Sequence, residues 1–350
     1  MELIFKGYSS IENVERTKEI DTIIQQGKSG GEWVVSEKIH GANFSFWVTE
    51  DSIRCAKRTD WLSEGSSFFN FQDVLTMNFE VLRKMYDDVI TRHFPETKCM
   101  TVYGEIFGGN YPHPEVERAY MATTVQKGVW YHPGNRFMAF DIVIRSEDHN
   151  RTMGHDFVYD LCELHGLKHV PVLFRGTFEE CLKYPNEFNS VVPNAFYLPS
   201  LVENLAEGVV IKPVEPSFMW NGSRVILKNK NTKWSEKAKM QRPNKDANKA
   251  NKFDFELSEP AAELVGELLL YVTENRLRNV LSKMEAITDR HFGIIVGNMN
   301  KDIMEDFLKD HREKFIALEE KERKYATKKM GNEVMLMVRK DFLNIIDGTF

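Results

Sequence analysis

The stretch Trp33-Val34-Val35-Ser36-Glu37-Lys38-Ile39-His40-Gly41-Ala42-Asn43-Phe44-Ser45-Phe46-Trp47-Val48 decides how this chain is read. Two strand-like runs, Trp33-Val34-Val35 and Asn43–Val48, flank Glu37-Lys38-Ile39-His40-Gly41. A lysine at the end of a strand, with a glycine three residues on, suits covalent lysyl–nucleotide chemistry. The amine has to meet a phosphorus in line, and glycine lets the backbone turn tightly beside a ligand. The pattern is weak by itself, because Lys-x-x-Gly occurs three times: Lys28 to Gly31, Lys38 to Gly41 and Lys328 to Gly331. What singles out the middle copy lies downstream.

Four further stations follow Lys38 in order. Glu105 stands in Val102-Tyr103-Gly104-Glu105-Ile106-Phe107, and Phe140-Asp141 ends Phe137-Met138-Ala139-Phe140-Asp141. Then come Glu207-Gly208-Val209-Val210-Ile211-Lys212 and Leu227-Lys228-Asn229-Lys230. Each sits on or beside a strand-like run. Taken singly, each has a plain explanation: carboxylates on strands usually face solvent, and Lys-x-Lys is common on strand edges. Together they supply what nucleotidyl transfer needs, namely a nucleophile, carboxylates for a ribose and a metal, an aromatic for a base, and paired cations for phosphates.

The 350 residues suffice for two domains, at roughly 100–200 residues each. The four cysteines, Cys55, Cys99, Cys162 and Cys181, have neither the spacing of a disulfide framework nor that of a zinc site, and a reducing compartment is expected. The first twenty residues mix acids and bases without a leader pattern, and no apolar run approaches the length of a membrane span. These features predict a cytoplasmic, nuclear or virus-encoded intracellular protein with no membrane partner. The net charge of −6 argues mildly against indiscriminate nucleic-acid binding, but charge is unevenly spread. Between Gly222 and Lys252 lie ten Lys/Arg and two acids, so that stretch is +8 and the remainder −14. Such a segment is an electrostatic footprint for phosphates, or in part a solvated linker.

The fold class expected is α+β. Residues 1–240 are strand-rich, with helical patches near Phe71–His93, His155–His165 and Thr177–Lys183. Residues 241–255 are basic and poor in apolar side chains, and read as a linker. From 256 to 350 the period turns helical: Leu264, Leu268 and Val272 form an i, i+4 stripe that Val280 and Met284 continue. Ser258 before Pro260 marks a helix start, and Asp302–Met330 carries a second long helical pattern.

The order Lys-x-x-Gly, Tyr-Gly-Glu, Phe-Asp, Glu-Gly-x-Val-x-Lys, Leu-Lys-x-Lys resembles the covalent nucleotidyltransferase superfamily of polynucleotide ligases and capping enzymes. Three details are similar to its RNA ligase 2 branch, the double-strand RNA-repair ligases that include the RNA-editing ligases: His40 in place of an aspartate, Cys55-Ala56-Lys57-Arg58-Thr59, and Tyr271-Val272-Thr273-Glu274-Asn275-Arg276. The resemblance runs from about Lys6 to at least Ile287. It implies a nucleotidyltransferase domain of antiparallel sheets flanked by helices, followed by an all-helical RNA-engaging domain. It also implies an ATP-dependent RNA ligase that joins 3′-hydroxyl and 5′-phosphate ends through a lysyl–AMP on Lys38 and an RNA–adenylate. ATP and Mg²⁺ or Mn²⁺ would be its cofactors. Nicked duplex RNA or an RNA–DNA hybrid would be its partner, and the protein would act as a monomer.

Carried over by position, the resemblance makes Glu207 the metal-binding carboxylate. Glu105 and Arg58 would hold the ribose, with Asn43 near the sugar or phosphate. Phe140 and Val210 would sandwich adenine, and Glu37 and Ile39 would line the nucleotide site. Lys228 and Lys230 would grip the α-phosphate, joined by Lys212, and Asp141 would orient its neighbours or the RNA. Phe68-Phe69 resembles an exposed aromatic pair that engages nucleic acid, and Trp234 would stack on a base or cover the core. Two features depart from the pattern: Ser36 stands where some members carry a basic residue, and Tyr111–Val116 looks more like the editing ligases, with His113 in a proline-flanked surface turn. Two alternatives stand beside this reading. One is a DNA ligase or capping guanylyltransferase, which usually carries an OB-fold where this chain turns helical. The other is a catalytically silent RNA-binding protein on the same scaffold.

Overall fold

A computed structural model describes residues 3–234, 257–284 and 287–350. The expected linker, residues 241–255, and the Ser235-Glu236-Lys237 part of the basic segment lie outside the described residues. The chain divides into two compact units, Met1–Lys233 and Trp234–Phe350.

The first unit holds two five-stranded sheets. Its elements are β1 (Glu12–Asn13), α1 (Thr17–Gln25), β2 (Trp33–Glu37), β3 (Ala42–Val48), β4 (Ile53–Lys57), α2 (Phe71–Asp88), β5 (Cys99–Asn110), β6 (His132–Arg145), β7 (Asn150–Thr152), α3 (His155–His165), β8 (Val172–Gly176), α4 (Phe178–Leu182), β9 (Gly208–Pro213) and β10 (Leu227–Lys230). One sheet runs β1-β10-β9-β2-β8 and the other β4-β3-β5-β6-β7. Every pairing is antiparallel except the short parallel contact of β1 with β10.

Alternation along the strands decides which face of each sheet a side chain occupies. In the first sheet Trp33, Val35, Val209, Ile211 and Leu227 form an apolar face packed with Ile23 of α1 and Phe178 of α4. The intervening residues Ser36, Val210 and Lys228 align across three strands on the opposite face, with Lys212 and Lys230 two residues from Val210 and Lys228. In the second sheet Phe44, Phe46, Val102, Ile106 and Ile142 pack with α2 and α3 residues such as Val74, Leu82 and Leu161. That leaves Asn43 opposite Glu105 and Ser45 opposite Tyr103 on the other face.

One irregularity matters for function. The β5–β6 register shifts between Tyr103, which faces Asp141, and Gly104, which faces Ala139. Phe140 is the extra residue, and a bulge of this kind re-aims a side chain. Phe140 consequently joins the cluster of Trp47, Tyr103 and Tyr8 rather than the α2–α3 core.

The second unit is helical: α5 (Glu259–Leu269), α6 (Glu274–Leu281), α7 (Phe292–Ala317) and α8 (Glu320–Ile346). Ser258 caps α5 by accepting from the Ala261 N–H, with proline in the first turn, and Thr273 caps α6 through Arg276. The expected stripe of Leu264 and Leu268 is buried with Ile295, Met299, Ile303 and Phe307, spaced by four along α7. The long pattern expected over Asp302–Met330 is broken at Leu318–Glu319. Glu319 and Glu322 form a reciprocal capping box there, without the Ser, Gly or Pro that would have announced it. Arg276 is buried and pairs with Asp302 at 2.5 Å and Asp306 at 2.8 Å. No helix among the described residues is long and apolar enough to cross a membrane. All four cysteines are free and buried.

Candidate active site

Lys38 follows β2 directly, and its backbone N–H donates to the Gly208 carbonyl at 2.9 Å. That bond places the lysine beside Glu207, the residue before β9. The Lys38 Nζ donates to Glu207 Oε2 at 2.7 Å, and Lys230 Nζ lies 2.8 Å from Oε1. His40 Nδ1 stands 3.5 Å from Oε2. Burial pushes the Glu207 carboxyl pKa up, but the charges of Lys230 and Lys38, helped by His40, outweigh it and hold the group well below the usual carboxylate range. Glu207 is 1% exposed, whereas the Lys38 side chain keeps 19%. The carboxylate is sealed while the amine beside it is still reachable.

Two glycines are set by close approach. A Cβ at Gly41 would sit 2.3 Å from the Ile106 carbonyl oxygen, so the turn after Lys38 presses directly on β5. Gly208, at φ +144°, has the Asn229 carbonyl 2.1 Å from where a Cβ would stand. The Lys-x-x-Gly spacing therefore reflects contact with the neighbouring strand.

Glu105 points to the same place from the second sheet. Burial lifts its pKa to about 7, opposed by the charges of Lys38 and Arg58 and by the Gly41 N–H, and assisted by the negative charge of Glu207. Asn43 is its cross-strand partner, half-buried, and Arg58 is exposed just beyond β4. Glu37 is buried and its Oε2 accepts from the Val191 N–H at 2.8 Å, while Oε1 has no close hydrogen-bond partner among the described residues. Burial raises its pKa to about 7 against hydrogen bonds from Ser190, Val191 and Val192. Ile39 is buried, and Val210, Lys228 and Lys230 are half-buried on the cleft face. Phe140 is half-buried, with its ring 4.8 Å from that of Tyr8.

Lys212 does not join the other lysines. Its Nζ donates to Asp141 Oδ1 at 2.8 Å and to the Phe140 carbonyl at 2.7 Å. Arg224 closes the same carboxylate with 2.5 Å and 2.9 Å bonds, and the Tyr8 hydroxyl also donates to it. Burial raises the Asp141 pKa, but Arg224 and Lys212 overcome that and hold it below its ordinary value. This cluster joins the two sheets and fixes the backbone at Phe140. Phe68 and Phe69, expected as an exposed pair, are 3% and 7% exposed and belong to the core around Phe44. The reason is local: Phe69 and Asn70 take positive φ values, which fold both rings inward at the start of α2. His113 lies in a turn, its Nδ1 accepting from the Glu115 N–H. Trp234 is buried at the end of a short 3₁₀ turn.

Several residues of the site carry no functional signal in the sequence. His40, although it stands within the quoted motif, reads there only as a family marker. Tyr8, Arg224, Tyr131 and Asn204 carry no spacing signal, because long-range pairing alone brings them in.

Comparison with known proteins decides the family. A profile of the RNA ligase family matches residues 31–230, more than half of the chain, and one described as T4 RNA ligase 2 C-terminal matches residues 255–336. The chain belongs to the RNA ligase family. It is an ATP-dependent RNA ligase that uses a divalent metal ion, and RNA is its substrate. RNA-editing ligase 1, mitochondrial, of Trypanosoma brucei brucei is 27% identical to it, with 87% of this chain and 76% of the relative covered. RNA-editing ligase 2, mitochondrial, of the same organism is 27% identical, with 88% and 84% covered. A solved Naegleria gruberi RNA ligase with ATP and Mn is 18% identical with a TM-score of 0.42, covering 65% of this chain and 57% of that one. This RNA ligase thus spans little more than half the length of that structure. The cytoplasmic, nuclear or virus-encoded location expected from the sequence is overturned, since both curated relatives are named mitochondrial and point to that compartment.

Among the described residues no group of three or more His, Cys, Asp or Glu side chains could cage a metal ion. A buried Glu207 with Glu105 within reach of its charge suits instead an ion such as Mg²⁺, which binds through one or two carboxylates and keeps waters and substrate phosphates.

Proposed function

We propose that this RNA ligase seals nicks in duplex RNA, or in RNA–DNA hybrids with an RNA 3′-end, as a monomer and through a lysyl–AMP formed on Lys38. The observation that carries the reading is the Lys38–Glu207–Lys230 cluster, a reachable amine held on a sealed carboxylate beside a second cation. Lys38 would shed its proton and form the N–P bond to the α-phosphorus of ATP, while the bond to the bridging oxygen breaks and pyrophosphate leaves. Its in-line approach is fixed by the Gly208 carbonyl on one side and the Gly41 contact on the other.

The remaining residues take the roles that the family resemblance gives them. Glu105 and Arg58 hold the ribose with Asn43 alongside, Glu37 and Ile39 line the base edge, and Phe140 and Val210 stack on opposite faces of adenine. Lys228 and Lys230 share a face of β10 and neutralise the α-phosphate. A divalent ion held by Glu207, with Glu105, would supply charge neutralisation at the phosphates. Lys212 positions Phe140 and does not touch phosphate, because its amine is engaged by Asp141 and the Phe140 carbonyl. In the domain assignment that accompanies this reading, residues 1–240 adenylate and 256–350 engage RNA, joined by 241–255.

The test is incubation with α-radiolabelled ATP and Mg²⁺ without nucleic acid, followed by denaturing electrophoresis. Wild-type protein should carry label and Lys38→Ala none. Nicked duplexes with RNA or DNA 3′-ends then define the substrate, with RNA 3′-ends sealed faster. Label from GTP in place of ATP would move the enzyme to the capping group, and no label from either would sink the reading.

A further inference from the structure

Tyr131 stands immediately before β6 and is fully buried, with its ring edge-on to Phe107 at 5.2 Å. Its hydroxyl accepts the backbone N–H of His40 at 2.9 Å. His40 lies inside the turn from Lys38 to Gly41, so this one bond fixes the backbone two residues from the reactive amine. The preceding residue is held equally firmly. Trp130 N–H donates to Asn204 Oδ1 at 2.8 Å, and Asn204 Nδ2 donates back to the Trp130 carbonyl at 2.7 Å.

Asn204 is itself buried and tied down. Its N–H donates to Asn189 Oδ1 at 3.1 Å, and its carbonyl accepts from the Ser190 N–H at 2.8 Å. Three residues further on comes Glu207. The dipeptide Trp130-Tyr131 therefore grips the turn that carries Lys38 and the segment that delivers Glu207, and those two side chains meet at 2.7 Å.

Packing alone does not call for a phenol here, since phenylalanine would fill the same space against Phe107. A neutral O–H suits the place: burial first, then the charges of Glu37, Glu207 and Glu105, keep Tyr131 protonated. A buried backbone N–H that loses its acceptor would shift to find another, and the His40 backbone would move with it.

We propose that Tyr131 and Asn204 form a brace that sets the Lys38 amine against Glu207, acting as positioning residues for attack on the nucleotide. The proposal rests on Lys38 being the nucleophile. It adds that the geometry of the attack is set from behind, by a segment that touches neither ATP nor RNA.

The test is the full-length Tyr131→Phe protein, which keeps the ring and removes only the acceptor. Two rates are measured: single-turnover lysyl–AMP formation across a range of ATP concentrations, and sealing of a pre-adenylated nicked RNA duplex, which needs no attack by Lys38. Lysyl–AMP formation at saturating ATP should fall by about ten- to a hundredfold, the scale expected of a misplaced reactant. The half-saturating ATP concentration should stay within about twofold, and so should sealing of the pre-adenylated nick.

Asn204→Asp keeps the acceptor for the Trp130 N–H but sets a carboxylate oxygen against the Trp130 carbonyl, and should give the same split. The two changes together should cost less than the product of each alone, as residues of one device do. An unchanged rate of lysyl–AMP formation in both variants would overturn the brace, and so would an equal fall in both reactions, which marks general loss of structure. Wild-type protein that takes no label from ATP would remove the nucleophile assignment, and the brace with it. Labelled wild type with full-rate lysyl–AMP formation in both variants removes the brace alone.

Discussion

Glu207 and Asp141 are the same device built twice. Each is a carboxylate 1% exposed, clasped by two cationic side chains, in the space between the two sheets. They differ in what surrounds the cations. Around Asp141, Lys212 and Arg224 keep 4% and 6% of their side-chain surface, and Tyr8 closes the remaining approach. Around Glu207, Lys230 keeps 7% but Lys38 keeps 19%, so one of the two cations is open to solvent. The sealed cluster can only hold the fold, while the open one can exchange a partner. Composition does not separate them, since both read as acid plus two bases. Access does.

The largest effect should come from breaking the sealed cluster. Asp141→Asn strands two buried cations and should destabilise the first unit by about 3–5 kcal/mol, read as a fall in Tm. Restored stability in an Asp141→Asn, Lys212→Met double variant would confirm that the loss is uncompensated charge. Glu207→Gln makes the opposite contrast: lysyl–AMP formation should drop by roughly 10²–10³-fold while Tm moves much less than in Asp141→Asn. Equal Tm losses in the two variants would erase the distinction between a sealed and an open cluster.

Gly41→Ala should rank next. Its Cβ would meet the Ile106 carbonyl at 2.3 Å, and backbone cannot move aside as a side-chain tip can. The turn must shift, so lysyl–AMP formation should slow by about tenfold or more with the fold intact. Binding of a non-hydrolysable ATP analogue, measured in parallel, should change less.

Acidity provides a finer comparison. Glu207 and Asp141 have folded pKa values below the ordinary ones, so the stability they contribute is present above the ordinary carboxylate range and lost as pH falls beneath it. Glu37 and Glu105 act with the reverse sign. Their folded pKa is raised from 4.5 to about 7, so the folded state binds more protons and stability declines as pH rises across that interval. Chemical denaturation between pH 4.5 and 7 should show that decline, and Glu105→Gln should flatten it.

The smallest effect belongs to Arg175, which also meets two carboxylates, Asp156 and Glu32, each at 2.8 Å, but with all three side chains 38–54% exposed. Arg175→Ala should change stability by less than about 1 kcal/mol. A loss approaching that of Asp141→Asn would show that burial is not what separates these clusters.

Much of the nucleotide site is legible in the sequence because strand alternation is a strict rule. Lys228 and Lys230, two apart on one strand, must share a face, and so must Val210 and Lys212. The helices His155–His165 and Glu259–Leu269 are announced by period and cap. What stays hidden is of two kinds. The shared face does not reveal that Lys212 is taken by Asp141, because Arg224 and Tyr8 arrive from 83 and 133 residues away in sequence. The inward turn of Phe68-Phe69 is hidden too, since it depends on positive φ at two residues that are not glycine. The break at Leu318 escaped for a similar reason: its cap is made by two glutamates, which a sequence reading takes for ordinary helix surface.

The four buried thiols have a practical consequence. Burial pushes Cys55 and Cys162 up to about 12 and Cys99 and Cys181 up to about 11, so at neutral pH none offers a thiolate to solvent. The native chain is therefore a silent background for chemical labelling. A single cysteine placed at the exposed Val202 would take a maleimide fluorophore alone, with no native cysteine removed and the core left untouched.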